Sequence, residues 1–109
     1  MGQHRRITVV HQRAITAQPG DHYIGRPSPL GNPFVIGRDG TRAKVIARYR
    51  TWLQTHVAAG PGNRVYDELQ RLRARAHQHP LRLVCWCAPL PCHGDVIAEV
   101  LRDGMPGSK

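Results

Sequence analysis

LRLVCWCAPLPCHGDVIAEVL, residues 81–101, is the stretch on which the fold turns. Its first seven residues, LRLVCWC, form a short apolar run and read as a buried strand over 81–87. APLP follows, a turn stiffened by Pro89 and Pro91. From Cys92 or His93 to Asp103 the apolar residues recur in pairs, Val96/Ile97 and Val100/Leu101, at helical spacing, and Gly104 supplies the stop. Strand, tight turn and helix in direct succession are the building unit of an α/β sheet.

Working outward, ITVVHQR (7–13) is β-branched and bounded by polar residues, the pattern of a first strand. Pro19-Gly20 punctuates the connection to a second short strand, HYIGR (22–26). PSPLGNPFVIGRDG (27–40) holds three prolines and three glycines and cannot stay regular for long. Gly31 and Asn32 tolerate positive φ, and Pro33 pushes Asn32 away from helix, so this segment is a fixed, shaped loop. Such a loop is either a plain connection or a binding surface.

Two helices come next. Thr41 caps the first, which runs to about Val57 with Val45/Ile46, Tyr49, Trp52/Leu53 and His56 on one side and Arg42, Lys44, Arg48 and Arg50 on the others. Asn63 caps the second, whose stripe is Val65/Tyr66, Leu69, Leu72 and Ala76. Asp67 and Glu68 precede Arg71, Arg73 and Arg75, the polarity that the helix dipole favours, and the arginines read as a solvated face. His77, His79 and Pro80 end it. The order strand, strand, loop, helix, helix, strand, helix predicts a small single α/β domain over 1–109. It has a mixed or partly parallel sheet of few strands, about three helices, and frayed tails at 1–5 and 105–109.

Composition narrows the function classes. The chain carries 16 Lys+Arg against 7 Asp+Glu, a net charge of +9, and fourteen of the sixteen are Arg. That balance suits a nucleic acid, nucleotide or phosphate partner, but the arginines are spread out rather than gathered into a run. No apolar stretch approaches the roughly 20 residues of a membrane helix, and no secretory signal is read at the start. A cytoplasmic setting is expected, with the three cysteines reduced.

Those cysteines pose the chemical question: Cys85, Cys87 and Cys92 lie with His93 inside nine residues. On a strand, Cys85 and Cys87 share a face and Trp86 takes the other. Cys92 stands at a helix start, where backbone N–H groups favour a thiolate. As a metal site, Cys85, Cys87, Cys92 and His93 would hold zinc, although zinc modules usually pair one knuckle with a distant second; His22, His77 or His79 can complete the shell instead. As a reactive site, Cys92 is the nucleophile with His93 beside it, the candidate catalytic pair. As a pocket, the stretch lies beyond the carboxyl end of its strand, where parallel sheets bind ligands. There the N–H groups of the helix start, at Cys92, His93 and Gly94, face an anion. Arg13 and Arg26 add charge, and the loop contributes Gly31, Asn32 for a base or sugar, and Phe34. His93 meets a phosphate or a ring. Asp95 either takes a ribose hydroxyl or only favours its own helix.

YIGRPSPLGNPF (23–34), TRAKVIARYRTWL (41–53) and LVCWCAPLPCHGDVIAEVL (83–101) together resemble DUF4326, a family of small bacterial and phage proteins of undefined activity. The resemblance covers nearly the whole chain. It falls on Gly25, Arg26, Gly31, Asn32, Pro33, Phe34, Cys85, Cys87, Pro91, Cys92, His93, Gly94 and Asp95, and so implies a site where two loops meet, without naming the ligand.

Two functions follow. The first is a domain that binds a nucleotide or related phosphate-bearing small molecule between the GNPF loop and the CHGD helix start, either holding it or modifying it; no cofactor is predicted for it. The second is a zinc-binding module whose arginines contact nucleic acid. Paired carboxylates, a Walker loop and a G-x-G-x-x-G fingerprint are all missing from the sequence.

Overall fold

The computed structural model describes residues 7–86 and 90–103. Its centre is strand β3, Leu81–Cys85, flanked by β1, Ile7–His11, and β2, Asp21–Tyr23, in the order β1-β3-β2. Both neighbours run parallel to β3. Ile7 stands opposite Leu81 and His11 opposite Cys85 on one side; Asp21 stands opposite Arg82 and Tyr23 opposite Val84 on the other. The sheet is therefore wholly parallel. A central parallel strand is apolar along most of its length because both its faces are covered, and four of the five β3 residues are buried.

Helix α1 spans Arg42–Ala59, α2 Arg64–Ala76 and α3 His93–Asp103. Thr41 caps α1 by accepting the Lys44 N–H at 3.3 Å, and Asn63 caps α2 by accepting the Tyr66 N–H at 2.8 Å. Val45, Tyr49, Leu53 and Val57, four residues apart, form the buried stripe of α1. Helix α3 lies against β1 and β3, α2 against β3, and α1 on both α2 and α3. Ile7, Leu81, Leu83 and Cys85 meet Leu69, Leu72, Ile97 and Leu101 in one core. Each fully buried leucine there contributes about 1.5–3 kcal/mol. No described helix is long and apolar enough to cross a membrane.

The strands are shorter than their sequence patterns, for local reasons. β1 stops at His11 because His11 Nδ1 accepts the Arg13 N–H at 3.0 Å and opens a 3-10 turn over Gln12–Ala14. After β2, the Ile24 N–H still reaches the Val84 carbonyl at 3.0 Å, and then the chain turns away, with Ser28 N–H on Gly25 O and Gly31 N–H on Ser28 O. β3 ends at Cys85, and Trp86 leaves it half exposed; Cys87 lies outside the described residues.

Glu68 also differs from its sequence role. It is only 7% exposed, accepts Arg71 Nε and Nη2 at 2.9 and 2.5 Å, and stands 2.5 Å from His22 Nε2. Burial alone would push the Glu68 carboxyl up; Arg71 and His22 outweigh it and hold the group below its ordinary value. His22, whose other ring nitrogen lies 3.5 Å from Arg75 Nη1, thus belongs to this network, and the Arg71 and Arg75 side chains both lean into it.

Candidate ligand-binding site

Parallel strands deliver their carboxyl ends to one edge of the sheet, and here all three do so. Tyr23 closes β2, Trp86 follows β3, and Arg13 follows β1 with its guanidinium 5.6 Å from the Trp86 ring centre. At this edge is a cavity of about 430 Å³. Its walls are Tyr23, Gly25, Arg26, Asn32, Phe34, Val35 and Ile36 from the first loop, Arg42, Val45 and Ile46 from α1, and Trp86, Pro91 and His93 from the β3–α3 connection.

Hydrogen bonds tie these walls together. Trp86 Nε1–H donates to Tyr23 Oη at 2.9 Å, and Tyr23 Oη–H donates to the Arg26 carbonyl at 3.1 Å. Arg26 Nη1 donates to the Asn32 carbonyl at 2.9 Å, closing the loop on itself. Asn32 Oδ1 accepts the Phe34 N–H at 2.9 Å, which leaves the side-chain amide nitrogen to offer a ligand. Buried Tyr49 Oη–H donates to the Leu30 carbonyl at 2.7 Å, fixing the loop to α1. Arg42 Nη1 donates to the Pro91 carbonyl at 3.2 Å, fixing the start of α1 to the β3–α3 connection.

Two glycines are required by close approach. A Cβ on Gly25 would sit 2.2 Å from Tyr23 Oη, so the tyrosine ring can fold over the loop only because Gly25 has no side chain. A Cβ on Gly94 would lie 2.8 Å from Val9 Cγ1 and 2.9 Å from Ile24 Cδ1, so the start of α3 rests directly on the sheet.

That close seating brings His93 to the exit of β2. Its Nε2 lies 2.7 Å from the Ile24 carbonyl oxygen, which only accepts, so Nε2 carries the proton and Nδ1 holds the basic lone pair. The ring stands edge-on to Tyr49, 5.1 Å between centres. Burial pushes His93 below its ordinary pKa; the Ile24 carbonyl pulls it up, Arg26 pushes it down and Asp95 pulls it up, and the net direction is down. At neutral pH His93 is a neutral hydrogen-bonding group and proton acceptor.

Of the residues nominated from sequence, Arg26, Asn32, Phe34 and His93 meet on the cavity wall. Arg13 borders it through Trp86. Gly31 lies behind Arg26, where a Cβ would come 2.9 Å from the Arg26 nitrogen. Cys92, 2% exposed, belongs to the core: its Sγ accepts the Gly94 N–H at 3.2 Å and lies 3.5 Å from Cys85 Sγ. Sulfur so placed caps the helix and is shielded from a substrate. Asp95 accepts the Cys92 N–H at 3.0 Å, so Cys92 and Asp95 make a reciprocal cap and the Asp95 carboxylate serves its own helix. Gly94 acts through its seat on the sheet.

The four proposed zinc ligands are divided. Cys85 and Cys92 are neighbours, His93 Nε2 is occupied by the Ile24 carbonyl, and Cys87 lies outside the described residues. His22 is held by Glu68, and His77 and His79 are exposed at the end of α2. Among the described residues no three His, Cys, Asp or Glu side chains gather as a metal site would need.

Sequence reasoning missed Arg42, Tyr23 and Trp86. A signal existed for Arg42. The first turn of α1 contains no acidic residue, and a cation there opposes the helix dipole, a local cost that points to another role. Trp86 was set apart by strand alternation, which turned it from the face of Cys85.

The DUF4326 family, described as a domain of unknown function, matches residues 7–103. The chain belongs to this family. One relative is an uncharacterized 12.4 kDa protein of the nrdA-td intergenic region of Enterobacteria phage T4, 42% identical over 43 residues. The match covers 33% of this chain and 40% of that relative. No solved structure matches significantly.

Proposed function

We propose that this DUF4326 domain binds a nucleotide or related phosphate-bearing small molecule in the cavity at the carboxyl edge of its sheet. The observation that carries this reading is the pair Arg26 and Arg42. Both line the cavity, and both donate to backbone carbonyls, those of Asn32 and Pro91, which leave the positive charge uncancelled. Among the described residues, no carboxylate lines the same space. Two guanidiniums suit a phosphate, because their planar forks match its oxygens. Phe34, Tyr23 and Trp86 supply faces for a ring, while the Asn32 amide and neutral His93 supply polar contacts. About 430 Å³ suits a ligand of this size. If the ligand is changed as well as held, His93 Nδ1 is the group on the wall able to take a proton.

The test is calorimetric titration of the protein with nucleosides, nucleoside mono-, di- and triphosphates, and inorganic phosphate. Nucleotides bind, the matching nucleosides bind at least tenfold more weakly, and Arg26→Ala removes the difference. Equal affinity for nucleoside and nucleotide, or binding by none, overturns the reading.

A further inference from the structure

We infer that the nucleotide held in this cavity is part of a single-stranded nucleic acid, whose adjoining bases stack on the aromatic rim. The inference rests on the nucleotide reading above and extends it outward from the cavity. Among the described residues four large hydrophobic side chains are exposed: Tyr23 at 36%, Ile36 at 48%, Trp86 at 51% and Leu90 at 55%. Tyr23, Ile36 and Trp86 line the cavity, and Leu90 adjoins Pro91, which also does. Scattered single hydrophobics on a surface need no explanation; three on the wall of one opening mark a contact that continues beyond it.

The chemistry of the rim selects the partner. Trp86 is half exposed yet held, because its only donor is spent on Tyr23 Oη and that hydroxyl is spent on the Arg26 carbonyl. A fixed, solvent-facing indole is a stacking platform, and every base presents a face to it. Arginine accompanies the aromatics: Arg13 lies 5.6 Å from the centre of the Trp86 ring, and Arg48 lies 5.5 Å from the centre of the Phe34 ring. Aromatic faces interleaved with guanidiniums are how single strands are bound without sequence preference, bases on the rings and phosphates on the cations. The charge distribution agrees. Asp21, Asp39, Glu68 and Glu99 are each paired with an arginine and none of them lines the cavity, while the chain as a whole carries +9. A duplex does not fit the same arrangement, since a paired base cannot enter a cavity of about 430 Å³ without leaving its stack.

The experiment is fluorescence anisotropy with end-labelled single-stranded decamers of mixed sequence, one DNA and one RNA, set beside the duplex decamer and calorimetry with nucleoside 5′-monophosphates. At least one single-stranded decamer binds tenfold or more tighter than any monophosphate and tighter than the duplex; the two arms identify which sugar is preferred. The logarithm of its affinity falls with the logarithm of salt with a slope of about −3, as phosphate contacts from Arg13, Arg26, Arg42 and Arg48 predict. Trp86→Ala weakens the decamer about tenfold and Trp86→Phe restores most of it. Arg13→Ala reduces the salt slope by about 0.7. A decamer no tighter than a monophosphate that itself binds overturns this inference and leaves the cavity reading standing; the rim then serves a different contact. No binding by either, with the circular dichroism spectrum intact, overturns both. A tight decamer indifferent to Trp86→Ala also overturns the inference, because the strand then lies elsewhere.

Discussion

Arginine does two different things in this molecule. On the strands, on the helices and in the loop before α1 it is neutralised: Arg82 grips Asp21 at 2.6 and 2.9 Å, Arg71 grips Glu68, Arg50 pairs with Glu99 and Arg38 with Asp39. At the cavity it is not. Arg26 and Arg42 donate to carbonyl oxygens, which fix the direction of the guanidinium and leave its charge in place. The difference shows why net charge alone was a poor guide. Total arginine describes the surface, whereas function resides in the arginines whose charge the fold leaves available.

The contrast can be broken from either side. The largest effect should come from Glu68→Ala, which strands His22 and Arg71 around a buried gap. Stability falls by about 1–3 kcal/mol in urea unfolding, with nucleotide affinity unchanged. Arg26→Ala should do the reverse: nucleotide affinity drops at least tenfold, about 1.4 kcal/mol, and the thermal midpoint hardly moves. If Arg26→Ala unfolds the protein and Glu68→Ala abolishes binding, the division between structural and available charge is wrong.

Smaller effects sharpen it. The sequence offers Asp95 either as a ligand contact beside Arg26 or as a group serving its own helix, and the Asp95 carboxylate caps α3. Asp95→Ala should therefore cost about 1 kcal/mol of stability, read by chemical denaturation, with affinity retained in the protein that remains folded. The smallest effect concerns His93. Its pKa is held below the ordinary 6.5, chiefly by burial, so the unfolded chain binds a proton that the folded chain refuses. Stability from this group is complete above about pH 6.5 and declines as pH falls below it. His93→Gln should flatten that part of a stability-against-pH curve; a curve equally steep in the variant would remove His93 as its source.

Much of the fold was legible from residues 81–101, because an apolar strand, a proline turn and a capped amphipathic helix are local patterns. The caps at Thr41 and Asn63 were legible for the same reason, since each depends on a residue reaching three positions along the chain. The two loops of the site were legible as well: GNPF and CHGD contribute Asn32, Phe34 and His93 to one cavity. What could not be read was which residues of those loops face the opening. Cys92 and Asp95 stand beside His93 in the chain, yet one turns into the core and the other back to the helix start. Consecutive residues of a helix point about 100° apart, so a motif that is continuous in sequence is divided in space.

Element types, family membership, the α/β class and the two loops that line the cavity are all legible along the chain. Packing in three dimensions alone sets the sheet parallel throughout, pairs buried Glu68 with the partly exposed His22, and joins Arg42 and Trp86 to Arg26 and His93 around one cavity. The two differ in range. Hydrogen-bonded caps, turns and periodic apolar stripes act over three or four residues and are written in short stretches. The strand order brings Tyr23 beside Trp86, and the seat of Gly94 on Val9 and Ile24 brings His93 to the exit of β2; these contacts join residues sixty and more positions apart, and no local pattern records them.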